Sequence, residues 1–266
     1  MEIFRFREGS SPLLVSMPHV GTHIPDALLG RMTPVARKLD DTDWHVDRLY
    51  DFLDDFGASV LAATHSRYVI DLNRPPDGAS LYPGRDSIGL VPLDTAARER
   101  LYAGGCEPGE AEIRERVERF WKPYHAKLAG TLELLRARHG YALLWDAHSI
   151  ASVLPRFFEG RLPDLNIGTA NGSSCGEGIG ERLLAVAQQD GGYTSVLNGR
   201  FVGGYITRRY GRPADKVHAV QLELAQAAYM EELKPPYRFR EDLAARLRPQ
   251  LRALLEAFLR TVPRPR

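Results

Sequence analysis

Cysteine is scarce in this chain: of its 266 residues, only Cys106 and Cys175 are cysteines. Two cysteines cannot form the disulfide framework that supports small secreted domains. A zinc site built from cysteine would also need a closer cluster of ligands than this pair provides. The scarcity of cysteine therefore excludes a disulfide scaffold and favours a reducing compartment.

A charge excess and long hydrophobic runs are missing as well. The chain has 35 Lys and Arg residues against 34 Asp and Glu residues. Its net charge therefore does not indicate binding to nucleic acid or to an anionic membrane. No stretch approaches the length of a membrane span, and residues 1–17 lack the basic segment and apolar core of a secretion signal. We therefore expect a cytoplasmic protein. If it binds anions, we expect the binding to depend on a local group of basic residues.

The composition is that of an ordinary globular protein, with 44% hydrophobic and 26% charged residues, and its length predicts one domain over residues 1–266. We expect a monomer or a small homo-oligomer. Apolar runs typical of buried strands are residues 13–17, 59–63, 68–72, 141–145, 165–168, 195–197 and 217–224. Helical periods are residues 44–56, 110–139 with a kink expected at Pro123, 177–189 and 241–260. This alternation predicts a mixed α/β fold with a largely parallel central sheet and helices on both faces.

Polar residues follow several of these runs, and ligands of open α/β sheets bind at the carboxyl ends of the strands. His19 follows residues 13–17, and His148 follows residues 141–145. Two histidines at separate strand ends, with a carboxylate such as Asp43, fit a three-ligand catalytic metal site. Without catalysis, His19 is explained as a turn residue and Asp43 as a helix N-cap. Asp146 fits either a partner that orients His148 or a cap of the next turn.

Glu223 lies inside the apolar run 217–224, where an unpaired charge costs free energy. A salt bridge to an arginine is the structural explanation. The functional explanation is a general base that takes a proton from water and passes it to a leaving amine. We predict the catalytic role.

Asn73 and Arg74 follow the run 68–72, and a guanidinium fork suits a substrate carboxylate. Further candidates for contact with an anionic substrate are Arg67, Arg85, Arg208 and Arg209. Since surface arginines are commonly solvated, we expect only some of them to reach the substrate. The segment 73–92, rich in Pro, Gly and Asp, is predicted to be a functional loop.

Two other functions compete with the metal site. Residues 172–176 match the G-x-S-x-G pattern of a serine hydrolase, with Ser174 as nucleophile and Asp215 and His218 following in the required order. A turn with helix-capping serines explains the same segment without catalysis. The other alternative is a non-catalytic binding protein for acidic amino-acid derivatives.

Six motifs together give the chain a family resemblance from residue 16 to about residue 232. They are Ser16-Met17-Pro18-His19, Asp41-Thr42-Asp43-Trp44, the stretch from Ser66 to Arg74, Asp146-Ala147-His148-Ser149, Asn198-Gly199-Arg200-Phe201 and Gln221-Leu222-Glu223-Leu224. The chain resembles the N-formylglutamate amidohydrolase family, and most closely its deformylases of histidine degradation. That family is similar in turn to zinc-dependent carboxypeptidases and N-acyl amino-acid deacylases. The resemblance implies a zinc-exopeptidase-like fold and hydrolysis of N-formyl-L-glutamate to formate and L-glutamate, with one divalent metal ion, expected to be Zn²⁺.

The resemblance also implies roles for individual residues. It places the metal ligands at His19, Asp43 and His148, the base at Glu223, and the contacts to the substrate α-carboxylate at Asn73 and Arg74. Carboxypeptidase-like sites usually take two ligands from His-x-x-Glu, whereas Thr22 stands three residues after His19. Asp41 and His23 therefore remain alternatives to Asp43. Because a formyl group is small, we expect a bulky side chain to close the acyl end: Trp44, Tyr82 or Phe201.

Overall fold

The computed structural model describes residues 1–81, 84, 86–189 and 191–261. Within these residues, the strands are β1 Phe4–Arg7, β2 Leu13–Met17, β3 Ser59–Ala63, β4 Ala142–Ile150, β5 Leu165–Gly168, β6 Ser195–Leu197 and β7 Val217–Ala225. They form one sheet in the order β1-β3-β2-β4-β7-β5-β6. Strands β3, β2, β4 and β7 are parallel, β1 is antiparallel to β3, and the parallel pair β5 and β6 is antiparallel to β7. The predicted mixed, largely parallel sheet is confirmed.

The helices surround this sheet. Within the same residues they are α1 Asp26–Leu29, α2 Val46–Leu49, α3 Glu110–Arg116, α4 Lys122–His139, α5 Ile179–Gln188, α6 Tyr205–Tyr210 and α7 Glu241–Leu259. A π-helical turn, Val117–Trp121, joins α3 to α4, so the predicted helix 110–139 is confirmed with a π turn just before Pro123. Short 3-10 turns occupy Pro34–Lys38, Leu53–Phe56, Pro213–Asp215 and Gln226–Ala228. None of the helices in the described ranges is long and apolar enough to cross a bilayer.

Side chains alternate between the two faces of the central strands. In β2, Leu13 and Val15 belong to the apolar cluster that α2, α5 and α7 cover. Leu14 belongs to the cluster that α4 and α6 cover on the opposite face. The sheet is therefore buried on both faces, as continuous apolar runs predict.

The polar residues at the ends of β4 and β7 share one face. Ala142 and Leu144 of β4 point to the α4 and α6 side, and by alternation so do Asp146 and His148. His148 pairs with Glu223 in the parallel register of β4 and β7. Since β2 is the other neighbour of β4, the sheet brings the ends of three parallel strands together.

Two of the predicted elements are wrong. Residues 68–72 are buried but form consecutive turns rather than a strand, with the Val69 N–H donating to the Ser66 carbonyl. Residues 44–56 are not one helix, because α2 ends at Leu49 and a 3-10 turn follows. The edge strand β1 and the short helix α6 were not predicted. Burial of an apolar run does not by itself distinguish a strand from a packed turn.

Candidate metal centre and active site

Three predicted metal ligands, His19, Asp43 and His148, converge at this end of the sheet. Their ligand atoms lie within 4.8 Å of one another, and each residue is at most 3% exposed. Asp43 Oδ2 is 2.9 Å from His148 Nδ1 and 3.6 Å from His19 Nδ1. Two imidazole nitrogens and a carboxylate oxygen in this arrangement could hold a metal ion.

Asp43 is not the N-cap of a helix. The following helix, α2, begins at Val46, and its N-cap residue is His45. The loop that carries Asp43 is fixed by its backbone N–H, which donates to the His19 carbonyl at 3.0 Å. The carboxylate is thereby directed at the two histidines rather than at helix amides.

Each histidine of this group is oriented by a second carboxylate. His19 Nε2 lies 2.8 Å from Asp71 Oδ1, and His148 Nε2 lies 3.2 Å from Asp146 Oδ2. Metal-binding histidines usually donate their second ring N–H to such a partner, which fixes the ring and raises its basicity. Asp146 thus lies at the ring of His148, where an orienting partner was predicted, whereas Asp71 was not predicted. Like Glu223, Asp71 is a carboxylate at an apolar run, and that signal would have found it.

Arg67 holds Asp71 in place. Its Nη2 donates to Asp71 Oδ2 at 2.6 Å, and its guanidinium is largely buried. Burial alone would raise the pKa of Asp71, but Arg67 and His19 hold it well below its ordinary value. Asp71 therefore stays ionised and faces His19 as a fixed negative charge.

Asp71→Asn tests this orienting role. The change keeps the shape of the side chain but removes the charge that faces His19 Nε2, so we expect the affinity for Zn²⁺ to fall by about 10–100-fold. Competition with a chelator of known affinity measures it. Asp55→Asn, at a surface aspartate paired with Arg252, is the matched control and should keep the wild-type affinity. Equal affinities in the two variants would contradict an orienting role for Asp71.

Glu223 is buried on β7, and it forms no ion pair within 4.0 Å with any described residue. Its carboxylate accepts a hydrogen bond of 3.3 Å from Gln221 Nε2. Burial raises the pKa of Glu223 to about 8; Asp43 adds to the rise, while His148 and Arg67 oppose it. The salt-bridge explanation of Glu223 is therefore wrong. A carboxyl pKa raised to near neutrality is typical of a group that exchanges protons in catalysis.

The site carries an excess of buried negative charge. The buried carboxylates at this end of the sheet are Asp43, Asp71, Asp146 and Glu223. Among the described residues that line the cavity, the guanidinium groups are Arg67 and Arg74. Although burial alone would lower the pKa of His148, Asp146 and Asp43 raise it well above its ordinary value. The cluster thus attracts positive charge, whether protons or a divalent cation.

A cavity of about 320 Å³ opens onto His19 and His148. Its described polar lining includes His19, Arg67, Asn73, Arg74, His148 and Glu223, and its apolar lining includes Ile150, Leu154, Phe157 and Phe201. Phe201, one of the side chains predicted to close the acyl end, is thus a wall residue of this cavity. Trp44 does not line the cavity; its Nε1 donates to the Leu39 carbonyl, so that prediction is wrong. Tyr82 lies outside the described residues.

The predicted substrate contacts differ in their positions. Arg74 lines the cavity, and its Nε donates to the Ile88 carbonyl at 2.7 Å. Asn73 lines it as well, but its Oδ1 accepts the Ile206 N–H and its Nδ2 lies 2.9 Å from His148 Nε2. Asn73 therefore contacts His148, which the sequence did not indicate.

Three further arginines were candidates for contact with the substrate, and of these Arg209 is not among the described residues that line the cavity. Arg208 is not among the residues that line the cavity, and it donates to the carbonyls of Gly203 and Leu81. Arg85 lies outside the described residues. Arg67 and Arg74 are therefore the predicted arginines that the structure places at the cavity.

Neither alternative third ligand joins the group. The Asp41 carboxylate accepts the Ala96 N–H at 3.0 and 3.1 Å. His23 packs edge-on against His65, with ring centroids 4.9 Å apart. Burial and hydrogen bonding thus favour Asp43 over both.

The serine-hydrolase hypothesis is wrong. Ser174 Oγ donates to the Ala219 carbonyl at 2.8 Å rather than to a histidine. His218 Nδ1 accepts the Gly176 N–H at 2.9 Å, so it is not paired with the serine as a base. Ser174 is a buried turn residue.

Comparison with known proteins agrees with this geometry. The model of the N-formylglutamate amidohydrolase family matches residues 11–230, a range that contains His19, Asp43, His148 and Glu223. The chain belongs to the N-formylglutamate amidohydrolase family. Two proteins named N-formylglutamate deformylase are similar to it, from Pseudomonas putida at 51% identity and from Pseudomonas aeruginosa at 50%. Each match covers 97% of this chain and 96% of the relative.

Solved structures of similar fold extend over the same length. The crystal structure of an N-formylglutamate amidohydrolase from Ralstonia eutropha has a TM-score of 0.80 at 26% identity, covering 98% of this chain and 97% of that one. A gene product of Agrobacterium tumefaciens has a TM-score of 0.72 at 21% identity, covering 97% and 95%. The latter supports the fold alone. The chain therefore shares the fold of the Ralstonia eutropha amidohydrolase along nearly its whole length.

Proposed function

We propose that this protein hydrolyses N-formyl-L-glutamate to formate and L-glutamate, the last step of a histidine degradation route. The observation that carries the proposal is the buried group of His19, Asp43 and His148 beside Glu223, in a chain about half identical to proteins named for this reaction. We also propose a cytoplasmic location, which suits an enzyme of metabolism.

The residues of the site fit a single divalent metal ion, which we propose to be Zn²⁺. The donor set is mixed imidazole and carboxylate, it is surrounded by excess negative charge, and the two histidines line the cavity, where a further ligand can enter. Bound by these three residues, Zn²⁺ would act as a Lewis acid toward the formyl carbonyl and lower the pKa of water.

Glu223 performs the proton transfers in this proposal. Its carboxylate lines the same cavity as His148, and the paired strands β4 and β7 hold the two residues side by side. As general base it removes a proton from the attacking water, and as general acid it returns that proton to the leaving amine. Its raised pKa suits both steps.

Arg67 and Arg74 bind the anionic end of the substrate in this proposal. Both guanidinium groups line the cavity, and each is fixed by a hydrogen bond, to Asp71 and to the Ile88 carbonyl respectively. A guanidinium held in this way can present its remaining N–H groups to a carboxylate without losing further side-chain entropy. Asn73, which precedes Arg74 and contacts His148, lines the same cavity with its side-chain amide.

Formate release from a panel of substrates tests the proposal. N-formylglutamate should be turned over faster than N-formylaspartate, N-acetylglutamate and a neutral N-formyl amino acid. Activity should fall with metal content under a strong chelator and return on adding Zn²⁺. Preference for an acetylated or neutral substrate would overturn the specificity, and tight binding of N-formylglutamate without turnover would support a binding protein instead.

A further inference from the structure

The segment 66–74 lies outside the sheet, so its backbone carbonyls need other hydrogen-bond partners. Three of them accept side-chain donors from the helical stretch formed by α3, the π turn and α4. Arg116 Nη1 donates to the Val69 carbonyl at 2.9 Å. His125 Nε2 donates to the Leu72 carbonyl at 2.8 Å, and Trp121 Nε1 donates to the Arg74 carbonyl at 3.0 Å. One helical stretch therefore fixes this turn segment at three points.

The π turn explains why these donors share a face. Arg116 and Trp121 are five residues apart, which in an α-helix would place them about 140° apart around the axis. The π turn spans Val117–Trp121, and its i→i+5 bonding brings Trp121 close to one full turn above Arg116. His125 follows four residues later and stacks on Trp121, with ring centroids 3.6 Å apart. The π turn thus aligns all three donors with one segment.

We propose that Trp121 and His125 are positioning residues for the reaction. The carbonyls they hold, of Leu72 and Arg74, flank Asn73 on either side. Through this stretch they fix three contacts of the site: Asp71 with His19, Asn73 with His148, and Arg74 with the cavity. Neither residue is among those that line the cavity, so they act through the segment. The kinetic part of this inference rests on the proposed function.

The hydrogen bonds of His125 fix which of its ring nitrogens is the donor. Since a carbonyl only accepts, Nε2 carries the proton, and Nδ1 accepts from the Tyr210 hydroxyl at 3.0 Å. Burial lowers the pKa of His125 to about 3, so the ring stays neutral at physiological pH. A glutamine places an amide N–H near the position of Nε2, whereas a leucine fills the space without a donor. His125→Gln should therefore rescue what His125→Leu loses.

The experiment compares Trp121→Phe, His125→Leu and His125→Gln with the wild type. Trp121→Phe keeps an aromatic ring but leaves the Arg74 carbonyl without its donor, so KM for N-formylglutamate should rise about tenfold with kcat changed less than about threefold. His125→Leu should lower Zn²⁺ affinity about tenfold, and His125→Gln should stay within about threefold of the wild type. Tyr50→Phe is the control, because it removes the acceptor of the buried Trp145 indole on the other face of the sheet.

Amide hydrogen exchange of Asp71, Asn73 and Arg74 gives a readout that needs neither turnover nor metal. Exchange should be faster in Trp121→Phe and His125→Leu than in His125→Gln and Tyr50→Phe. If the first two variants only lose thermal stability, as we expect of Tyr50→Phe, with unchanged KM, Zn²⁺ affinity and exchange, the inference is wrong. A wild type that does not release formate would instead overturn the proposed function, and the exchange data would still decide this inference.

Discussion

Glu223→Gln should lower kcat by about 10²–10⁴-fold while leaving Zn²⁺ content unchanged. The amide keeps the size of the side chain and its place beside Gln221, but it cannot accept a proton from water. Glu223 is not one of the three converging ligands, so metal binding should survive. Formate release at saturating substrate, with metal content measured on the same sample, is the test. Glu231→Gln, an exposed carboxylate-to-amide change, is the matched control.

The same variant has a pH-dependent effect on stability. The pKa of Glu223 is raised to about 8 in the folded protein. The folded state therefore holds this proton more tightly than the unfolded state, and the carboxyl makes folding less favourable as pH rises toward 8. Metal-free Glu223→Gln should thus melt at or above the wild-type temperature at pH 9. A catalytic loss accompanied by a large drop in melting temperature would point to a structural role.

His148→Ala should abolish Zn²⁺ binding and formate release together. The change removes one of the three converging donors and leaves Asp43 and Asp146 buried without the imidazole between them. Leaving buried charges uncompensated costs several kcal/mol, about 3–5 by analogy with broken buried ion pairs, so the melting temperature should fall as well. Metal analysis and activity assays on the folded fraction measure both effects.

His23→Ala is the control for His148→Ala. His23 was an alternative ligand, but it packs against His65 rather than joining the group. It should keep full metal content. His148→Gln, which retains a hydrogen-bond donor for Asp146, separates loss of the metal from loss of folding. Full activity and full metal content in His148→Ala would refute the ligand assignment.

The central sheet could be predicted because its strands are buried on both faces and so appear as apolar runs. Residues 68–72 show the limit of that signal. Apart from Asp71, their side chains are apolar and nearly as buried as those of β2. The Asp71 N–H nevertheless donates to the Leu90 carbonyl instead of to a neighbouring strand. Whether a buried run pairs in a sheet depends on partners that are distant in sequence, and periodicity does not contain that information.

The site was predictable to the extent that its residues follow strands. His19 and His148 were found in this way, and Glu223 stood out as a charge in an apolar run. Asp43 was predicted through the family resemblance, because its position before an apolar helical period suits a helix cap equally well. Trp44 was misplaced since the cavity wall is built by loops, such as the one carrying Phe157, whose course the sequence pattern does not show.

The paired strands β4 and β7 have a consequence for how this enzyme can change over evolution. Their register sets Glu223 beside His148, and a slip of one residue would place Leu222 or Leu224 there and turn the carboxylate to the opposite face. The spacing between Glu223 and His148 is therefore fixed by the backbone hydrogen bonds that pair the two strands. Substitutions in the loops around the cavity can therefore alter which acyl amino acid fits, while the distance between these two residues stays the same.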